Sequence, residues 1–265
     1  MTSPGASSPP RPSELTPHEL ATLTAGCPRP LLIGLDVDGV LAPIVPRADQ
    51  AALLPGVNDA LAALVPFAPS VSLAVVSGRA VDDLEARYGF PDHITVVGSH
   101  GLEWRDGTPL ELDPDERHTL EQLATLAAAA ANDVGAGAWV EHKPASAVLH
   151  VREAEHDASM VAIDQLSKLA AMVPGSHVKH GHQVVELMAR RTSKATAVAH
   201  LRRRADAASV VFVGDDHTDE EVFADLGPDD VSVRVGPGDT LAEMRLTDPQ
   251  AVLAWLRELA AVLTA

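Results

Sequence analysis

Five short, mostly apolar runs, at residues 31–35, 72–76, 94–97, 210–213 and 231–235, each give way to an aspartate, serine or glycine. Helical stretches lie between them. They are expected at 57–65 after Pro55, at 81–88 closed by Gly89, at 194–205, and at 218–225 closed by Gly227. Near-continuous apolar strands separated by helices demand a sheet buried on both faces, which is a parallel one. The expectation is a doubly wound, Rossmann-like α/β core. Ligands of such sheets gather beyond the carboxyl ends of the strands. Asp36, Ser77 and Asp215 all fall at such ends.

Residues 103–188 break the pattern. Two long helices are expected at 115–132 and 156–172, with polar–apolar alternation at 139–143, 147–152, 176–180 and 183–188. Alternation implies a sheet with one buried and one open face. An inserted α+β cap domain is therefore placed at 103–188, with the core at 29–102 and 189–265. A final amphipathic helix is expected at 251–263. Residues 1–28 are rich in Pro, Ser and Thr and read as a flexible tail within which 14–23 could form one short helix.

With 265 residues and 46% hydrophobic content, the chain can bury a sizeable core. Its net charge of −17 argues against nucleic acid or an anionic membrane surface as partner. No apolar stretch is long enough to span a bilayer. A single cysteine, Cys27, allows no internal disulfide and fits a reducing compartment. A cytoplasmic monomer is expected. Because the background charge repels anions, a phosphate site here needs strong local positive charge.

The sequence Asp36-Val-Asp38-Gly sets two carboxylates two residues apart at a buried strand end. Burial penalises each, and like charges repel. A divalent cation with a taste for hard oxygen ligands, such as Mg2+, resolves both problems. A second acidic cluster, Gly214-Asp215-Asp216-His-Thr-Asp219, follows another apolar run. Plainer roles exist for each group. Ser77 could cap the following helix, Lys194 could be surface charge, and Asp219 could serve a helix dipole. Glu141 and Lys143 could be a solvent-facing ion pair worth little.

In order, Asp36-Val-Asp38-Gly, Ser77-Gly-Arg79, Lys194 and Gly214-Asp215-Asp216-x-Thr-Asp219 resemble the four signatures of the haloacid-dehalogenase-like phosphatases. More narrowly, Gly98-Ser-His100-Gly101, Glu141-x-Lys143, Leu-His150-Val-Arg152 and Glu186 resemble the trehalose-6-phosphate phosphatase family. The resemblance implies that Asp36 is the nucleophile, forming an aspartyl-phosphate, and that Asp38 is the acid and then the base. Ser77, Lys194 and the amides after Asp36 would hold the phosphoryl group. Asp36, Asp38, Asp215 and Asp216 would form the magnesium site. Arg79, His100, Gly101, Glu141, Lys143, Arg152 and Glu186 would contact a sugar phosphate, trehalose 6-phosphate first among them. Two departures stand out: Val40 replaces the usual threonine after the glycine, and residues 188–195 lack the Pro and Gly common before the lysine.

Three other functions compete. One is hydrolysis of another sugar phosphate, such as sucrose 6-phosphate. A second is a non-catalytic sugar-phosphate-binding protein, against which the full set of motifs argues. The third is a signalling receiver domain, which is about half this length and has no cap.

Overall fold

The computed structural model describes residues 12–45, 50–107, 112–181, 183–190 and 192–265. The chain divides into two compact units, residues 1–108 with 193–265, and residues 109–192.

The first unit is built on an eight-stranded sheet in the order β1-β12-β11-β10-β2-β3-β4-β5. Its strands are β1 (Ser13–Glu14), β2 (Leu31–Leu35), β3 (Val71–Val76), β4 (Thr95–Gly98), β5 (Glu103–Trp104), β10 (Ser209–Gly214), β11 (Val231–Val235) and β12 (Met244–Leu246). All neighbours are parallel except β4 and β5. Every residue of β2 and β10 is buried, as strands covered on both faces require.

Alternate residues feed two cores. Leu31, Ile33 and Leu35 pack with α1 (Pro17–Ala25), α2 (Val57–Ala62), α3 (Val81–Tyr88) and α8 (Pro249–Thr264). Leu32 faces the other way, toward α6 (Lys194–Arg204) and α7 (His217–Asp225). Gly34 shares that second face because a Cβ there would lie 2.8 Å from the Phe212 ring. The chain leaves β2 toward β3 on one side and β10 toward β11 on the other. β2 and β10 are adjacent, so their carboxyl ends open a crevice where the strand order reverses.

The second unit is an antiparallel sheet, β6-β7-β9-β8, backed by two helices. It comprises α4 (Pro114–Val134), β6 (Trp139–Lys143), β7 (Ser146–His150), α5 (His156–Ala170), β8 (His177–Gly181) and β9 (Val184–Met188). Leu123 and Ala127 of α4 and Ile163 and Leu166 of α5 pack on Ala147, Leu149, Val185 and Leu187. The register sets Glu141 beside Val148, Val148 beside Glu186, and Glu186 beside Lys179. These residues, with Lys143 and Ser146 two places along, occupy the face opposite the helices.

Two expectations need correcting. Residues 12–28 are not tail: β1 pairs with β12, and α1 packs Leu20 and Ala21 without exposure against α8. Thr16 and Glu19 close a capping box at the start of α1. Residues 1–11 of that expected tail lie outside the described residues. The inserted unit also begins later than 103, because Glu103 and Trp104 form the antiparallel edge strand on β4. A two-residue strand carries no periodicity to read. Among the described residues no helix is long and apolar enough to cross a membrane.

Candidate active site

Asp36 follows β2, Asp215 follows β10, and Lys194 opens α6, so three elements converge on the crevice. Ser193 caps α6 through the amide of Thr196 at 3.3 Å, which fixes where Lys194 starts its helix. Lys194 Nζ lies 2.6 Å from Asp36 Oδ2 and 2.8 Å from Asp219 Oδ1. All three side chains are buried. The other oxygen of Asp219 accepts the amides of Asp215 at 2.9 Å and Asp216 at 3.0 Å. Both oxygens of Asp219 are thereby engaged, one on the lysine and one on the loop that carries Asp215. A Cβ on Gly214 would fall 2.2 Å from Asp219 Cγ, so only glycine lets this carboxylate in.

Electrostatically the cluster is short of positive charge. One oxygen each from Asp36, Asp215 and Asp219 lie within 4.8 Å of one another. Three carboxylates face one ammonium. Burial pushes Asp36 up to about 7 against the pull of Lys194, and burial with the nearby Asp219 pushes Asp215 up to about 6. Burial works against charge on Lys194 too, but Asp36 and Asp219 outweigh it and hold the ammonium above its ordinary value. A hard oxygen donor set with a surplus of negative charge fits a divalent cation. Gly39, at φ +79°, brings the 36–39 turn against Asp215, since a Cβ there would overlap its carboxylate at 2.0 Å.

Asp36, Asp38, Ser77, Arg79, His100, Lys194, Asp215 and Asp216 line one cavity of about 550 Å3. Asp38 is held by Arg79, from Nε at 2.6 Å and from Nη2 at 2.9 Å. Ser77 is buried, and its Oγ accepts the Arg79 amide at 3.2 Å. Ser99 and His100 both adopt positive φ, 49° and 55°, a costly pair of conformations of the kind that clusters at functional sites.

Several expected residues lie elsewhere or do something else. Asp216 caps α7, accepting from the His217 amide at 2.6 Å, and is not one of the three clustered carboxylates. Asp219 is, although it sits three residues further on. Gly101 is buried with φ +104°, packed toward Ala197 of α6. Val40 belongs to the apolar core, which explains why no hydroxyl stands there. Of the amides after Asp36, that of Val37 donates to Asp36 Oδ1 and that of Gly39 to the Ala42 carbonyl. These two amides are engaged within the turn.

On the open face of the second unit, Glu141 Oε2 lies 2.9 Å from His150 Nε2. Glu186 accepts from Ser146 at 2.7 Å and Lys143 at 3.4 Å. Arg152 is exposed just past β7. Sequence reasoning passed over Trp139, which stacks on His150 at 4.0 Å and 4° on the same face. Its place two residues before Glu141 was the available signal.

A buried aspartate at a strand end, a buried lysine and an acidic loop at the reversal point of a doubly wound sheet fit the haloacid-dehalogenase-like phosphatase class. The description "Trehalose-phosphatase" matches residues 34–249. Trehalose-6-phosphate phosphatase of Escherichia coli (strain K12) is 34% identical over 233 residues, 83% of each chain. Trehalose-phosphate phosphatase of Mycobacterium marinum is 31% identical over 252 residues, covering 89% of this chain and 63% of that longer one. In structure, Aspergillus fumigatus trehalose-6-phosphate phosphatase superposes with a TM-score of 0.70 at 22% identity, over 95% of this chain and 100% of that one. The chain belongs to the trehalose-phosphatase family, and with it to the phosphoric monoester hydrolases.

Proposed function

We propose that this protein hydrolyses trehalose 6-phosphate to trehalose and phosphate with magnesium, in the cytoplasm, through an aspartyl-phosphate on Asp36. The observation that carries the reading is the buried Asp36–Lys194–Asp219 chain, at 2.6 and 2.8 Å, beside Asp215. Asp36 and Asp215, with the backbone carbonyl of Asp38, would hold the cation; Asp219, with both oxygens engaged on Lys194 and the loop amides, would support them. Bound magnesium would neutralise charge on the phosphoryl oxygens.

The remaining work falls to the chain. Lys194 fixes Asp36 and offers its charge to the phosphate. Asp36 attacks phosphorus, an Asp36 O–P bond forms, and the bond to the sugar oxygen breaks as Asp38 hands that oxygen a proton. Asp38 then takes a proton from water, which attacks the phosphorus and frees Asp36. Ser77 is placed to hydrogen-bond a phosphoryl oxygen, and Arg79 and His100 line the same cavity. Substrate identity would be read by Glu141, Lys143, Arg152 and Glu186 of the second unit.

The test is phosphate release from a panel of sugar phosphates, with and without a chelator, in wild type and Asp36→Asn. Trehalose 6-phosphate should be hydrolysed fastest, and chelator or the Asn variant should abolish release. Full activity in chelator would sink the cation, and full activity in Asp36→Asn would sink the mechanism.

A further inference from the structure

The chemistry above leaves one carboxylate unused that is nevertheless tied to a group it does use. Arg79 spends Nε and Nη2 on the two oxygens of Asp38, at 2.6 and 2.9 Å. Its remaining edge, Nη1, donates to Asp83 Oδ2 at 2.9 Å. The other oxygen of Asp83 accepts from Arg87 Nε at 2.6 Å. Carboxylate and guanidinium thus alternate through Asp38, Arg79, Asp83 and Arg87. Asp83 and Arg87 are four apart on α3, the spacing that stacks side chains along one face of a helix, and Arg79 lies just before its N-cap at Ala80. The Arg79 guanidinium also lies over the ring of Tyr88, 5.9 Å from its centroid. That ring is buried, and among the described residues its hydroxyl has no hydrogen-bond partner.

We propose that Asp83 is a positioning residue for the acid–base step, acting on Asp38 through Arg79. The inference rests on the role given to Asp38 above. A carboxylate held only at its own Cβ can turn about two torsions. Here both its oxygens are set by one guanidinium plane, and Asp83 sets that plane. The arrangement matters most when Asp38 works. To pass a proton to the leaving oxygen, Asp38 must release one of its two bonds to Arg79. Asp83 keeps Arg79 in place while that happens, so Asp38 moves against a fixed partner. Arg87 in turn holds Asp83 from the solvent side. Bidentate geometry of this kind adds directional control as well as energy.

The measurement is kcat and KM of the full-length protein with magnesium, on trehalose 6-phosphate and on p-nitrophenyl phosphate. The variants are Asp83→Asn, Asp83→Glu, Asp38→Asn and the Asp38→Asn/Asp83→Asn pair. Misplacing a reacting group costs up to about a hundredfold, so Asp83→Asn should lower kcat on the sugar phosphate by about ten- to a hundredfold. KM should stay within about twofold, because a positioning loss falls on the transition state. The loss should be smaller on p-nitrophenyl phosphate, whose phenolate leaves without a proton. Asp83→Glu should recover part of the rate. In the Asp38→Asn background, Asp83→Asn should cost nothing further, since its target is gone. Wild-type kcat in Asp83→Asn, or a full additional loss in the double variant, overturns the proposal. Equal losses on both substrates that track a lowered Tm also overturn it, in favour of a structural role. Wild-type turnover in Asp38→Asn would instead overturn the role of Asp38, and the positioning of it falls with that.

Discussion

At Lys194 a single ammonium serves two buried carboxylates, Asp36 and Asp219. Removing one partner of such a cluster leaves charge in a place without water, which costs about 3–5 kcal/mol. Lys194→Met should therefore both abolish hydrolysis and lower stability by about that amount in urea unfolding. A drop under about 1 kcal/mol would mean that the carboxylates are not jointly ionised. Asp215 gives a second handle, in the protein freed of metal by chelator. Burial raises it from 3.8 to about 6, so between those values the folded chain keeps a proton that the unfolded chain has lost. The contribution of Asp215 to stability then falls as pH rises through about 4 to 6, and Asp36, raised to about 7, carries a fall of the same sign further up. Magnesium should reverse this, raising Tm more at pH 8 than at pH 5, and Asp215→Asn should reduce the effect, leaving the part due to Asp36. A Tm indifferent to magnesium at pH 8 would sink the cation site without any appeal to activity. The convergence of Asp36, Lys194 and Asp215 was legible because each ends or opens an element that the apolar pattern defines. Asp219 was not, since a carboxylate in the first turn of a helix looks like dipole compensation until its oxygens are seen on Lys194 and the loop amides.

Legibility among the elements followed length. The helix expected at 81–88 and the strand at 31–35 came out residue for residue, because their apolar runs end at Gly89 and Asp36. β1, β5 and β12, at two or three residues, have too few side chains to show a period. Missing them made residues 12–28 look unattached. Pro, Ser and Thr do suggest a loose tail, yet Thr16-Pro17 starts a capped helix whose Leu20 is wholly buried. Leu20→Ala should accordingly cost about 2–5 kcal/mol, the range for a buried leucine, read from the urea midpoint at unchanged m-value. A cost near zero would show that α1 adds nothing to the core. The start of α6 makes the same point about function. Without the Pro and Gly common in the family, Ser193 and Thr196 still close a capping box that sets Lys194 at the crevice.

Across the whole molecule, a chain of net charge −17 must draw in an anion. Under the proposed mechanism Lys194 and a divalent cation would answer that demand at the phosphoryl group, but this group is the same in every phosphate monoester. Discrimination between sugars therefore has to come from side chains that would touch the sugar, not the phosphoryl group. The open face of the β6-β7-β9-β8 sheet carries the right chemistry. Glu141 paired with His150, and Glu186 paired with Ser146 and Lys143, are partly buried hydrogen-bonding groups that can exchange their present partners for hydroxyls. A site built this way rejects analogues lacking those hydroxyls, because its polar groups are left unpaired. Glu141→Ala and Glu186→Ala should each lower kcat/KM for trehalose 6-phosphate by about ten- to a hundredfold, the worth of a hydrogen bond to a charged group. p-Nitrophenyl phosphate, which offers no sugar, should be hydrolysed by both variants at close to the wild-type rate. If both substrates lose equally, these glutamates maintain the sheet or the metal centre. Substrate selection would then have to be sought among Arg79 and His100 in the core cavity.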